Sequence, residues 1–331
     1  MAERLQALTR WLHEAGGLGD FEIDQVSGDA SFRRYFRVRH AEGTCIAMDA
    51  PPDKEDSHPF VHVAALFGEL GLNVPRVLLA DLSQGFLLLT DLGDRLYLSE
   101  LNADTVDRLY GDALDALATL QACGPGADTL PPYDAPLLRE EMERFREWYL
   151  TRHLGLNLEA HQHAVLDTAF ELLTASALEQ PRVCVHRDYH SRNLLVAEDN
   201  PGILDFQDAV HGPVTYDLVS LLRDCYIAWP TERVYEWALG YHERAVQSGI
   251  LADEDAERFL RWFDLMGIQR HLKATGIFAR LNIRDAKPAY LNDVPRTLGY
   301  VLEVSARYPE LAEFKALLGD LVGPRLSVAN A

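Results

Sequence analysis

Residues 183–208 read VCVHRDYHSRNLLVAEDNPGILDFQD, and the rest of the chain is best read outward from them. The stretch sets Asp188 and Asn193 in the order His-x-Asp-x-x-x-x-Asn and then Asp205 inside Leu-Asp-Phe, with short apolar runs around each. Phosphoryl transfer needs a carboxylate beside the attacking hydroxyl and oxygen ligands for magnesium. Hard cations take carboxylate and amide oxygen. Asp188 is therefore the expected catalytic base, and Asn193 and Asp205 the expected Mg²⁺ ligands. Each has a plainer explanation taken singly: a turn aspartate, an Asx turn, a strand-end cap. All three in register favour the chemistry. Asp208, three residues beyond Asp205, reads as a surface charge.

Upstream, residues 3–15 place Leu5, Leu8 and Leu12 on one helical face. FEIDQVSGDASFRRYFRVRHAEGTCIAMDAPP suggests two strands around a Gly-Asp turn and a second turn at Glu42-Gly43. A charged, proline-containing loop leads to a helix over 61–71, and two further strands surround Ser83-Gln84-Gly85. Beyond residue 93 the signal turns helical, beginning with Val106, Leu109, Ala113, Leu117 and Leu120 at three- and four-residue steps. Residues 124–136 read as a loop. Helices are expected at 138–152, at 160–176 and through much of 215–320, one of them running from Asp217 to Tyr226. The expected class is α+β, with a sheet-plus-helix lobe over 1–93 and a mostly helical lobe over 94–331.

Composition narrows the partners. A formal net charge of −20 argues against nucleic acid or an anionic membrane. No apolar run approaches a membrane span, and the first seventeen residues carry charges at helical spacing with no apolar signal core. Cys45, Cys123, Cys184 and Cys225 form no C-x-x-C pair, sit in apolar-flavoured stretches and read as buried free thiols of a reducing, cytoplasmic compartment. No protein partner is evident. The partners expected are small molecules.

The catalytic segment resembles that of the aminoglycoside phosphotransferase-like kinases, a branch of the protein-kinase-like fold. Their signature matches His186, Asp188, His190, Asn193 and Asp205, with Arg187 standing where glycine is usual. Over nearly the whole chain, SGDASFRRYFRV, LTDLGD, VHRDYHSRNLLV, GILDFQDAVHGPVTYDLVSLLRDCYIAWP and QRHLKATGIFARLN resemble the anomeric N-acetylmuramate/N-acetylglucosamine kinases of peptidoglycan recycling. The resemblance implies a bilobal fold, ATP as co-substrate, Mg²⁺ as cofactor and an amino sugar phosphorylated on its C1 hydroxyl. It also implies that Asp217 accepts backbone hydrogen bonds from the catalytic loop, with His186 packing beneath it.

Under that resemblance the nucleotide half departs from the kinase pattern. Met48 occupies the position of the strand lysine that holds ATP phosphates in protein kinases. Ser31, Arg33 and Arg34 after the Gly28-Asp29 turn, together with Lys54, are the expected phosphate contacts. Adenine is expected along the segment that holds Leu89 and Asp91. For the sugar, Asp224 is expected on hydroxyls, Arg223 or His271 on the N-acetyl or lactyl group, and Tyr226 or Trp229 as a platform. Two other readings stay open at this point: a choline, homoserine or aminoglycoside kinase of the same superfamily, and a nucleotide-binding pseudokinase. Cationic acceptors predict an acidic or aromatic cage, whereas Arg270, His271 and Lys273 lean towards an anion.

Overall fold

The structure is a computed structural model that describes residues 2–28, 32–252 and 255–329. Helix α1 (Ala2–Glu14) precedes three antiparallel strands, β1 (Phe21–Gly28), β2 (Arg34–His40) and β3 (Gly43–Asp49). Helix α2 (His58–Glu69) leads to the hairpin of β4 (Val77–Asp81) and β5 (Phe86–Thr90), and the sheet order is β1-β2-β3-β5-β4. Strand alternation sorts the side chains. Phe36, Val38, Cys45, Ala47, Phe86 and Leu88 form a core with Leu8, Trp11 and Leu12 of α1. Met48 projects to the other face and is fully buried.

After the short α3 (Tyr97–Glu100) come α4 (Val106–Cys123) and α5 (Ala135–Arg144). The helix expected at 138–152 is two pieces, because α5 passes into a π-helical turn at Phe145–His153. Helix α6 (Ala160–Leu178) then leads into β6 (Arg182–Val185), β7 (Leu194–Leu195), β8 (Gly202–Ile203) and β9 (Val210–Pro213), paired as β6–β9 and β7–β8. The helices α7 (Tyr216–Leu222), α8 (Thr231–Gln247), α9 (Ala256–Asp285), α10 (Val294–Ser305) and α11 (Ala312–Ala329) complete the chain. Helix α9 packs against α5, α6, α7 and α10. Its Gly276 is required by that packing, since a Cβ there would lie 2.4 Å from the Arg144 carbonyl carbon.

The contacts divide the chain into two units, Met1–Ala116 with Asn193–Ala209, and Leu117–Arg192 with Val210–Ala331. The boundary expected near residue 93 from the change of strand pattern to helical pattern stands beside this contact-based division, in which 193–209 joins the first unit. Local bonds explain the difference for 193–209. The Ile203 N–H donates to the Asn73 carbonyl at 2.8 Å, the Val196 N–H to the Arg95 carbonyl at 2.7 Å, and Phe206 packs on Phe60 and Phe67. Within its own unit the second segment builds its core on Phe145, Tyr149, Phe170, Leu265, Ile268 and Leu298. Among the described residues no helix is long and apolar enough to cross a membrane.

Candidate active site

The loop after β6 carries Asp188, and the main chain of that loop is gripped by buried carboxylates. Asp217, in the first turn of α7 and fully buried, accepts the N–H of His186 at 2.6 Å and of Arg187 at 3.0 Å. Burial pushes its carboxyl up to about 7 despite those two donors. The Asp188 N–H donates to His186 Nδ1 at 3.2 Å. Farther along, buried Asp224 accepts the Ser191 N–H at 2.9 Å and, with its other oxygen, the Tyr226 N–H at 2.9 Å. Arg187 sits at φ 77°, the left-handed region that favours glycine.

A buried charge network explains what Arg187 gains there. Its guanidinium donates to Glu141 at 2.6 Å, and Lys273 Nζ lies 3.1 Å from the same carboxylate while donating to the Tyr216 hydroxyl at 2.8 Å. Tyr133 and Gln269 also donate to Glu141. Burial works against the Glu141 carboxylate, but Lys273 and Arg187 outweigh it and hold the group down at about 2. The same cations act on Asp188. Burial opposes its ionisation, yet Lys273, His190, Arg270 and Arg187 hold the carboxyl down at about 2, so it is a carboxylate at neutral pH. His190 is pushed below its ordinary value by burial, against the pull of Asp224 and Asp188.

In the other unit, Asn193 and Asp205 come together at the base of the β7–β8 hairpin. Asn193 Nδ2 lies 3.4 Å from Asp205 Oδ2, and Gln207 Nε2 donates to Asp205 Oδ1 at 2.7 Å. The Leu204 N–H bonds to the Asn193 carbonyl at 2.9 Å, which fixes the two residues side by side. Asp205 has φ 63°, strain that re-aims its carboxylate at the end of the strand. Among the described residues no three His, Cys, Asp or Glu side chains converge as a ready-made metal cage. A carboxylate and a neighbouring side-chain amide are donor types that Mg²⁺ takes. Here the Asn193 amide nitrogen faces Asp205, so a half-turn of that amide would present its oxygen to the ion, and phosphate oxygens and water would complete the shell.

The expected nucleotide residues fare differently from one another. Ser31 lies outside the described residues. Arg33 is buried and pairs with Glu55 at 3.3 Å, and Glu55 also accepts the Phe32 N–H at 3.0 Å. Lys54 has a half-exposed side chain 3.7 Å from Asp53. Arg34 is bonded to fully buried Asp49, which Arg4 of α1 also grips through Nε at 2.8 Å. That is the sheet face α1 covers, opposite to Met48, so the phosphate role expected of Arg34 does not fit its position. Leu89 is buried within β5. Asp91 is clasped by Arg37 at 2.6 and 3.0 Å and accepts the Gly93 N–H at 2.9 Å, so its side chain shapes the turn after β5.

Three of the five expected sugar contacts turn inward. Arg223 is buried and donates to Asp264 at 2.6 Å and Tyr235 at 2.8 Å. Both Asp224 oxygens are used on backbone, as described above. His271 donates Nε2–H to the Arg223 carbonyl at 2.8 Å and stacks on Tyr300. The physical reason is that α7 stops at Leu222, not at Tyr226, and Arg223 breaks it at φ −118°, ψ 54°. Asp224 then competes for the N–H of Tyr226, and the helix does not continue. Both platform candidates stay partly exposed, Trp229 lying edge-on to Trp237. Tyr226 carries His190 edge-on at 5.2 Å and the Arg192 guanidinium 3.6 Å from its ring centroid. Glu141, which receives Arg187 and Lys273, and Arg192, which stacks on Tyr226, are residues beside the loop that the sequence reading passed over. Glu141 was findable, since it shares a helical face with buried Leu138, Met142 and Phe145.

Burial drives His271 down to about 3 against an unfolded value near 6.5. A depressed histidine contributes stability that is complete above pH 6.5 and is lost as pH falls towards 3. From pH 6.5 to pH 5, unfolding stability of the wild type is expected to fall relative to His271→Gln by about 2 kcal/mol. Urea titrations at both pH values check this, and parallel curves for the two proteins would refute a neutral buried His271. Asp217, raised in the fold, gives stability that is complete below the ordinary aspartate range and lost as pH rises through 7. That contribution is common to both proteins and cancels from the comparison.

A carboxylate on a pinned loop, followed five positions later in sequence by Asn193 with Asp205 beside it, is a residue set that phosphoryl transfer can use. The phosphotransferase enzyme family model matches residues 22–266. The chain belongs to that family, on the branch of the N-acetylmuramate/N-acetylglucosamine kinases. It is similar to the N-acetylmuramate/N-acetylglucosamine kinase of Pseudomonas aeruginosa, 49% identical over 96% of this chain and 97% of that one. The enzyme of the same name from Pseudomonas putida is 48% identical over 96% of each. Among solved structures, a Plasmodium vivax ethanolamine kinase shares the fold at TM-score 0.65 and 11% identity, over 89% of this chain and 87% of that one. A choline kinase from Streptococcus pneumoniae does so at TM-score 0.61 and 12% identity, over 90% and 99%. At those identities the likeness speaks for the fold alone.

Proposed function

We propose that this phosphotransferase uses ATP to phosphorylate the anomeric C1 hydroxyl of N-acetylmuramate and N-acetylglucosamine, giving the α-1-phosphate. The single observation that carries the reading is Asp188 on a loop pinned by Asp217, in a chain 49% identical over 96% of its length to an N-acetylmuramate/N-acetylglucosamine kinase. Asp188 accepts the C1 hydroxyl proton as the C1 oxygen bonds to the γ-phosphorus and the bond from that phosphorus to the bridging oxygen of ADP breaks. A carboxylate held this low is a weak base. Its work is orientation and late acceptance of the proton, as a loose transition state requires.

Asn193 and Asp205 would hold Mg²⁺, which when bound neutralises charge on the phosphates. Arg33 and Lys54 are the proposed cationic contacts to phosphate. The backbone after β5 from Leu89, shaped by Asp91, is the proposed adenine contact. His186 and Asp217 support the loop. Such a reaction returns cell-wall amino sugars to metabolism, which places it in peptidoglycan recycling, and its need for ATP places it in the cytoplasm.

The test is ADP release with ATP, Mg²⁺ and one acceptor at a time. Both sugars are expected to support turnover, while their methyl C1-glycosides are not. Equal turnover of a methyl glycoside would move the reaction to another hydroxyl. Turnover of choline or an aminoglycoside alone would sink the sugar assignment, and no turnover with any acceptor would favour a pseudokinase.

A further inference from the structure

We infer that Arg192 is the residue that distinguishes the two sugars, by receiving the lactyl carboxylate that N-acetylmuramate carries and N-acetylglucosamine lacks. The inference rests on the sugar-kinase reading above and extends it to one side chain. Its ground is a set of contacts within a single unit. Arg192 lies four residues after Asp188 in the same loop, and the Asp224 carboxylate grips both the residue before it and Tyr226. One buried group therefore fixes the guanidinium and the ring beneath it together. The guanidinium lies 3.6 Å from the Tyr226 ring centroid and 5.8 Å from that of Tyr290. An arginine laid on an aromatic face has lost much of its rotamer freedom before any ligand arrives.

The planar fork is nevertheless open for use. The Arg192 side chain is 38% exposed, and among the described residues it donates no hydrogen bond. Its ion-pair neighbour is Asp293, at 3.8 Å, beyond hydrogen-bond range. Asp293 meanwhile accepts from Arg296 at 3.1 Å, and Arg296 also donates to the Cys225 carbonyl at 2.8 Å. Arg223 and Arg270, by contrast, are buried. Arg192 is thus a pre-set, partly exposed guanidinium on the loop that carries Asp188. A bidentate guanidinium–carboxylate pair is the geometry that a lactyl group asks for. In a chain of net charge −20 an anionic acceptor needs such a local cation. A cationic acceptor such as choline would be repelled by it.

The experiment is steady-state kinetics of the full-length protein on both sugars, with Arg192→Gln and Arg192→Lys. Arg192→Gln is expected to raise KM for N-acetylmuramate about 10–100-fold, the loss of one charge-assisted contact, with the loss on N-acetylglucosamine within about threefold. Arg192→Lys should recover part of the N-acetylmuramate loss, since charge returns without the fork. Turnover of N-acetylglucosamine by the same variant reports that it folds. An equal loss on both sugars, a loss confined to kcat, or unchanged constants would each overturn the inference. If the wild type turns over neither sugar, the functional reading itself fails and the inference falls with it.

Discussion

Asp188→Asn is expected to lower kcat by about 10²–10⁴-fold, the range of a positioned proton acceptor, while ATP affinity changes little. The substitution keeps the shape of the side chain and leaves the Asp188 N–H on His186 and the His186 and Arg187 N–H groups on Asp217. What disappears is one negative charge in a setting where Lys273, Arg270 and Arg187 press on it from within the fold. An amide there has no lone pair basic enough to take the C1 proton. It also leaves those cations facing a neutral group, so the acceptor hydroxyl loses its orientation along with its base. Single-turnover ADP formation and calorimetric ATP binding on the same sample separate chemistry from binding. A variant with normal kcat would remove Asp188 from the reaction.

Glu141→Ala is expected to cost about 3–5 kcal/mol of folding stability, the range for stripping one partner from a buried ion pair. Glu141 is fully buried and receives Arg187, Lys273, Tyr133 and Gln269. Its removal strands two cations and a phenol in a low-dielectric interior. The argument becomes sharper with Lys273→Met added. If stranded charge causes the loss, the double variant should be more stable than the sum of the single losses predicts. Urea unfolding of the four proteins measures the coupling. A single loss below about 1 kcal/mol, or strict additivity, would show that the network contributes little beyond surface pairs.

The sequence carried the elements of the fold that depend on local pattern. Alternation around Val38 and Ala47 marked the strands, and the steps from Val106 to Leu120 marked α4. Asp188, Asn193 and Asp205 stood out because phosphoryl transfer needs such groups, and the roles proposed for them rest on that pattern. The structure places Asn193 beside Asp205, and Asp188 on the loop before them. What local pattern could not convey is where a polar side chain spends its hydrogen bonds. Arg223, Asp224 and His271 looked like sugar ligands because charge within an apolar run needs a partner, and the partners proved to be Asp264, backbone N–H groups and a backbone carbonyl. The end of α7 is equally a tertiary matter, decided by Asp224 reaching Ser191 and Tyr226. Arg192 went unnoticed because its position depends on Tyr226, thirty-four residues away.

Asp217 and Asp224 hold the loop by peptide N–H groups, and every residue type except proline supplies one. The clamp is therefore indifferent to the identity of the side chains it holds in place. Substitution of the partly exposed Arg192 side chain leaves the backbone grip on residues 186, 187 and 191 in place. Proline at any of those three positions is the change the clamp forbids. The scaffold thus separates holding the base from choosing the acceptor, which leaves room for acceptor preference to drift while the phosphoryl-transfer machinery stays put.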